Sequence, residues 1–397
     1  MKFLAYLVCY LIYPLSFIFP RNKKKWAFGS FRNAFNDNAK YLFIYWQIHR
    51  KDVNVAWLSM SKKTVEEIIS VGLKAYFILS PQGIWHALTS KYWFFNAYTS
   101  DIMFAFSGGA ICVNLWHGVG LKRIEFNIDS GKLADRYQKK KLKEVFYHPE
   151  TFKRPDWLLS STPFQTKMFA LAFRIPEDHC LEFGYPRNEI LQFNENKLLD
   201  FIDRYESRQV KDIVMTIRQG NYRKVFIYMP TWRDSQREIF VQSFDLVKMN
   251  ALLQAQNSLM LLKPHANVII DKLVFQHYSN IVLVDGSIDV YPILPFTNVL
   301  ITDYSSILYD YILMDGKDVI LYLYDYEDYV KERDFFYPYD ENVVGKKVLD
   351  FDELCRCIVK DDCKIDETQR EKIVEKFWGD TVRCSSSSLL LTKVFCG

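Results

Sequence analysis

Apolar and polar positions fall in alternating blocks along this 397-residue chain. In the C-terminal half, short apolar runs stand at Val225–Met229, Ser258–Lys263, Ile281–Asp285, Val299–Asp303 and Val319–Tyr324. Helical spacing separates them at Phe244–Gln254, Val290–Phe296 and Ser305–Met314. Runs apolar on both faces, alternating with helices, predict a parallel sheet covered on both sides. The N-terminal half repeats the theme at Val53–Leu58, Ala75–Leu79, Ile111–Trp116 and Trp157–Ser160. Lys197–Arg218 reads as one long amphipathic helix, apolar at Leu198, Ile202, Tyr205, Ile213 and Ile217, and Gly220-Asn221 stops it. The expected class is α/β, with two Rossmann-like doubly wound domains at residues 26–220 and 221–397, the second closing with C-terminal helices. Doubly wound sheets bind ligands at the carboxyl ends of their strands.

Residues 1–25 break the pattern. Phe3 to Phe19 is almost wholly apolar, interrupted by Pro14 and Ser16, and Arg21-Asn-Lys-Lys-Lys25 follows. Seventeen residues of helix reach about 25 Å, short of the ~30 Å hydrocarbon core of a bilayer. Tyrosines at 6, 10 and 13 suit an interface, and basic residues behind an apolar stretch suit anionic lipid. The segment is expected to lie on the membrane, peripheral or monotopic, with the body on the cytoplasmic face. A tilted span, a cleaved signal peptide and a first helix or strand packed in the core are the alternatives.

Charge sharpens this division. The chain carries net +4, but five of its 51 basic residues and none of its 47 acidic ones lie in the first 25 positions, so the body carries −1. A body without net positive charge argues against nucleic acid as a partner. The run Lys139-Lys140-Lys141, with Arg136 and Lys143, reads as a solvated helix face or a second contact with anionic lipid. The eight cysteines include no C-x-x-C pair, which fits free thiols and no zinc site. With 49% hydrophobic and 25% charged residues, the chain is a folded one.

Five polar segments stand at expected strand ends. Trp116-His117-Gly118 offers an imidazole that can take a hydroxyl proton at neutral pH, beside a flexible glycine. Thr231-Trp232-Arg233-Asp234 offers a guanidinium fork for phosphate. Lys263-Pro264-His265 places two potential cations together, as a diphosphate requires. Thr302-Asp303-Tyr304-Ser305-Ser306, entering a helix that carries Asp310, is a candidate phosphate site at a helix N-terminus or a simple cap. Gly29 to Tyr41 reads as a first strand-to-helix turn. The Tyr/Asp-rich stretch at Tyr322–Tyr329 reads as a packed loop or a cleft lining.

These segments together resemble the CDP-glycerol:poly(glycerophosphate) glycerophosphotransferase family, the teichoic acid primases and polymerases. The resemblance rests on Asp37-Asn-Ala-Lys-Tyr-Leu, Lys91-Tyr-Trp-Phe-Phe-Asn-Ala, Trp116-His-Gly, Gly184-Tyr-Pro-Arg-Asn188, Pro230-Thr-Trp-Arg-Asp234, His265 and Thr302-Asp-Tyr-Ser-Ser306 with Asp310, in the family's order over roughly residues 26–380. Phe377-Trp-Gly-Asp-Thr-Val-Arg383 departs from the Asp-Gly…Arg pattern of other members. The chain is of primase size.

The resemblance implies a GT-B architecture, two such domains facing a cleft. It also implies transfer of glycerol phosphate, or a related polyol phosphate, from a CDP-polyol to a hydroxyl of a lipid-linked or glycan acceptor, with release of CMP. His117 would be the base. His265, aided by Lys263, would meet the diphosphate. Trp116, Gly118, Thr231, Trp232, Arg233, Thr302, Asp303, Ser305, Ser306 and Asp310 would line the substrates. CDP-glycerol or CDP-ribitol would be the donor, with no cofactor and no metal. A GT-B enzyme using another nucleotide sugar, and a membrane-anchored nucleotide-binding scaffold, are the competing readings.

Overall fold

The computed structural model describes residues 2–131, 133–231, 244–264, 275, 277–327, 329, 335–379 and 387–396. The chain divides into two compact units. The first comprises Met1–His117, Ile124–Glu189 and Phe377–Gly397; the second comprises Gly118–Arg123 and Ile190–Lys376.

The first unit is built on seven strands: β1 (Asn22–Phe28), β2 (Asn54–Ser59), β3 (Ala75–Phe77), β4 (Ser90–Phe95), β5 (Ile111–Asn114), β6 (Trp157–Ser160) and β7 (Cys180–Glu182). Their order is β3-β2-β1-β4-β5-β6-β7, and every pairing is parallel. The second unit carries β8 (Lys224–Tyr228), β9 (Ser258–Leu262), β10 (Ile281–Leu283), β11 (Val299–Thr302), β12 (Asp318–Tyr322) and β13 (Lys346–Val348). Their order is β10-β9-β8-β11-β12-β13, again all parallel. Counted from its own first strand, each sheet has the doubly wound order 3-2-1-4-5-6, the first with one strand more. The order reverses beside β1 and β4 in one unit and beside β8 and β11 in the other, where such folds open a crevice for ligands.

Burial explains why the strands were readable. β2, β9 and β12 are buried along nearly their whole length, so both faces are apolar. Aromatic side chains dominate one core: Trp26, Phe28, Trp46 and Phe94 pack edge to face, stacked or tilted, with ring centroids 4.5–5.7 Å apart. In these geometries ring contacts add about 0.5–1.5 kcal/mol beyond the area they bury. Trp46 Nε1 donates to Thr392 Oγ1 at 2.6 Å, and Phe395 packs on Tyr92 and Phe94.

Several sequence expectations are corrected. The boundary does not fall at Gly220: contacts divide at Glu189, and the C-terminal stretch from Phe377 belongs with the first unit. A glycine that ends a helix does not end a packing unit. Lys197–Arg218 is two helices, Glu195–Tyr205 and Arg208–Gln219, because Ser207 caps the second by accepting from Val210 N. Residues 22–25 belong to the first sheet rather than to the N-terminal segment: they open β1, with Asn22, Lys23 and Lys24 exposed. Arg21 turns inward, donating to the carbonyls of Ala87, Ser90, Phe106 and Gly108, and burial lowers its pKa to about 10. The expected helices at Val290–Phe296 and Ser305–Met314 shrink to a 3-10 turn, Leu294–Phe296, and a single turn, Ile307–Tyr311. Lys139 and Lys141 pair with Asp135 as a solvated face. The Tyr/Asp-rich stretch packs in its own unit, with Tyr329 stacked on Tyr304 at 3.8 Å.

Candidate functional site

In the first unit, polar residues gather at the carboxyl ends of β1, β4, β5 and β7. β5 ends at Asn114, whose Oδ1 accepts from Trp116 N at 2.8 Å and whose Nδ2 donates to Ala97 O. That turn forces Trp116 to φ 52°, and Gly118 follows at 155°. A left-handed residue that is not glycine stores strain, which the surroundings must hold in place. Here Asn38 Nδ2 donates to both Leu115 O and Trp116 O at 3.1 and 2.9 Å, and the Trp116 ring packs edge-on to Phe173.

The strained turn presents His117. Its side chain is accessible to solvent, and its Nδ1 lies 3.1 Å from Asn96 O. A carbonyl can only accept, so Nδ1 carries the proton and Nε2 is left as the basic nitrogen. Desolvation lowers the His117 pKa, Asp37 and the Asn96 carbonyl raise it, and Arg187 lowers it again. The balance is a neutral imidazole at pH 7, the form a general base requires. Asn96 is held in turn: its Oδ1 accepts from Ala39 N, its Nδ2 donates to Ser30 Oγ, and its N–H donates to Asp101.

In the second unit, the ends of β8 and β11 are stitched together. Asp303 accepts from Thr231 N through both carboxylate oxygens at 2.9 and 3.1 Å, and from Tyr304 N at 2.6 Å. Thr302 Oγ1 donates to Met229 O. Thr302 and Asp303 are buried, so they frame the loop, whereas Ser305 and Ser306 are partly accessible. Asp310 is buried and accepts from Tyr291 OH at 2.7 Å. The helix entered here is the single turn Ile307–Tyr311, which carries little dipole, so this strand end presents a loop with two accessible hydroxyls rather than the expected helix N-terminus. Lys263 donates to the carbonyls of Asp285 and Gly286, and burial lowers its pKa to about 8. Trp232, Arg233 and His265 lie outside the described residues.

Sequence reasoning quoted Asp37, Asn38, Asn96 and Arg187 within motifs but gave them no role. Asn96 had a signal, a polar residue directly after the apolar run Tyr92–Phe95; the other three had none, and only the fold shows that the four meet around His117.

Two all-parallel sheets of doubly wound order, with polar loops at the strand ends, define a nucleotide-type α/β fold. Solved structures share it. A wall teichoic acid polymerase, TagF, aligns with a TM-score of 0.73 at 21% identity, covering 99% of this chain and 97% of that one. A UDP-GlcNAc 2-epimerase from Neisseria meningitidis aligns at 0.50 with 12% identity, over 94% of this chain and 99% of that one. Residues 11–382 match the CDP-Glycerol:Poly(glycerophosphate) glycerophosphotransferase family. The chain belongs to that family and is a transferase of its kind. Among relatives, a teichoic acid glycerol-phosphate transferase of Staphylococcus aureus (strain NCTC 8325 / PS 47) is 29% identical over 89% of this chain and 86% of its own length. A teichoic acid poly(glycerol phosphate) polymerase of Bacillus spizizenii (strain ATCC 23059 / NRRL B-14472 / W23) is 24% identical over 88% and 86%.

Proposed function

We propose that this chain transfers glycerol phosphate from CDP-glycerol to a hydroxyl of a lipid-linked or glycan acceptor and releases CMP. The observation that supports this reading is the 3.1 Å approach of His117 Nδ1 to Asn96 O, which puts the ring proton on Nδ1 and leaves Nε2 as the nitrogen able to take one. The acceptor oxygen attacks the β-phosphorus while its proton passes to Nε2. The bond from that phosphorus to the bridging oxygen breaks, and the oxygen leaves with CMP. Positioning and charge neutralisation supply most of the acceleration in such transfers. The second unit takes the donor: Ser305 and Ser306 hold phosphate oxygens, Thr302 and Asp303 keep the loop in place, and His265, Trp232 and Arg233 keep the roles the resemblance implies. CDP-glycerol is the substrate, and the reading calls on no cofactor.

A panel of CDP-glycerol, CDP-ribitol and UDP-hexoses, offered with lipid-linked and glycan acceptors, tests this reading. CMP release from CDP-glycerol with a product heavier by one glycerol phosphate supports it. Preference for CDP-ribitol changes the polyol, and release of UDP alone overturns it. Without release from any donor, the scaffold reading stands.

The reading also places the N-terminal segment on an anionic membrane surface at the cytoplasmic face. Leu4 and Leu11 of the helix Lys2–Leu15 are 66 and 69% exposed, and Phe3, stacked on Phe146, is still 57% exposed, so the helix presents an apolar face to solvent. Beside it, Tyr10 OH donates to Val145 O and Phe146 O, next to Leu142, which is 89% exposed. No described helix is long and apolar enough to cross a membrane. Sedimentation with phosphatidylglycerol vesicles is expected and should weaken in Leu4→Asp/Leu11→Asp; equal sedimentation of the two proteins contradicts the placement.

A further inference from the structure

Two motif residues with no part in the proton transfer stand against the His117 turn. Asp37 opens the helix Asp37–His49, and Arg187 follows β7. They are 150 positions apart in sequence, yet Arg187 Nη1 donates to Asp37 Oδ1 at 2.7 Å with only 3% of the Arg187 side chain exposed. Arg187 N also donates to Asn38 Oδ1 at 3.3 Å, while the Asn38 carboxamide holds Leu115 and Trp116. The pair is thus joined through one asparagine to the strained residue that precedes His117. Asp37 is itself left-handed at φ 61°, a second costly conformation at the same place.

A buried ion pair of this kind is weak evidence for stability, because desolvating both charges offsets most of their attraction. Its position suggests another use. Asp37 and Arg187 are the charged groups that act on the His117 ring, in opposite senses. Among the described residues, the rings of Phe169 and Phe173 and the residues Asn38, Asn96 and Asn114 also pack on the turn, and Asp101 lies behind Asn96. A carboxylate alone would draw a proton onto the imidazole, and a guanidinium alone would repel one.

We propose that Asp37 and Arg187 form a charge-balanced positioning pair that holds the Trp116–His117 turn, so that neither charge acts on the imidazole uncompensated. This rests on His117 being the base, as proposed above. Neither residue touches the reacting atoms. Two readouts separate the pair from that base. The first is the acidic limb of the kcat/KM profile. The second is the NMR titration of the His117 ring, assigned with His117→Ala among the seven histidines, which needs no turnover.

Arg187→Gln leaves Asp37 uncompensated and is expected to raise both the limb and the ring titration by about one pH unit. Asp37→Asn is expected to lower both by a similar amount. The double variant D37N/R187Q should return them close to the parent values, and Arg187→Lys, which keeps the cation, should move them least. If a single variant fails to fold, the double and Arg187→Lys carry the test, since both preserve charge balance. Movement of both single variants in one direction, or activity loss with an unmoved ring titration, overturns the proposal. A ring that titrates as expected while His117→Ala stays active overturns the base assignment and leaves the pair's effect on the ring standing.

Discussion

His117 shows how little of a residue's role lies in its own side chain. Its tautomer comes from the Asn96 carbonyl, its accessible position from the left-handed Trp116, and its charge state from desolvation by the groups packed around it set against Asp37. Glu125 is a second residue governed by its surroundings. It is 6% exposed, accepts from Tyr98 OH at 2.6 Å and Tyr137 OH at 3.3 Å, and burial raises its pKa to about 7. The folded chain therefore holds a proton there that the unfolded chain releases near pH 4.5. That stabilisation is complete below the lower value and is lost as pH rises through 7, on the order of 3 kcal/mol from this site. Buried Asp101, also raised to about 7 by desolvation, acts in the same sense. Urea unfolding from pH 4.5 to 8 is expected to show this decline, with a shallower slope in Glu125→Gln; equal slopes would remove Glu125 as a cause.

At the scale of elements, what the sequence reveals depends on burial. β9 and β12 were legible because both faces are covered, which leaves an unbroken apolar run. β1 was obscured because its first residues, Asn22-Lys-Lys-Lys25, lie toward solvent while Trp26, Ala27 and Phe28 are buried. β7 and β13 have three residues each and include charged ones, Glu182 and Lys346-Lys347, so no apolar run marks them as one marks the equally short β3 and β10. The paired helices Glu195–Tyr205 and Arg208–Gln219 looked like one because their apolar positions nearly continue in phase; Ser207 was the available clue. Ser207→Ala is expected to cost about 1 kcal/mol in urea unfolding, and a cost near zero would show that the break does not depend on this cap.

At the scale of the whole molecule, the strand-end chemistry and two doubly wound sheets were readable from local patterns, whereas the division of the chain was not. No local signal announces that the chain returns at Phe377 to the first unit, where Ser161 Oγ donates to Phe377 O and Trp46 meets Thr392. The Asp37–Arg187 pairing was hidden for the same reason. Ending the chain before Ser387 removes Thr392 and Phe395 from the aromatic core and is expected to lower the first unit's Tm in calorimetry; an unchanged Tm would show that this helix only decorates the surface.

The central claim is that His117 takes the acceptor proton while the second unit binds the donor. It is tested most directly by CMP release from CDP-glycerol and acceptor, compared between the parent and His117→Ala, with donor affinity measured in parallel. The expected result is a fall in kcat of at least about 10²-fold, the scale of general-base catalysis, with CDP-glycerol affinity nearly unchanged. Turnover close to the parent's in His117→Ala would contradict it.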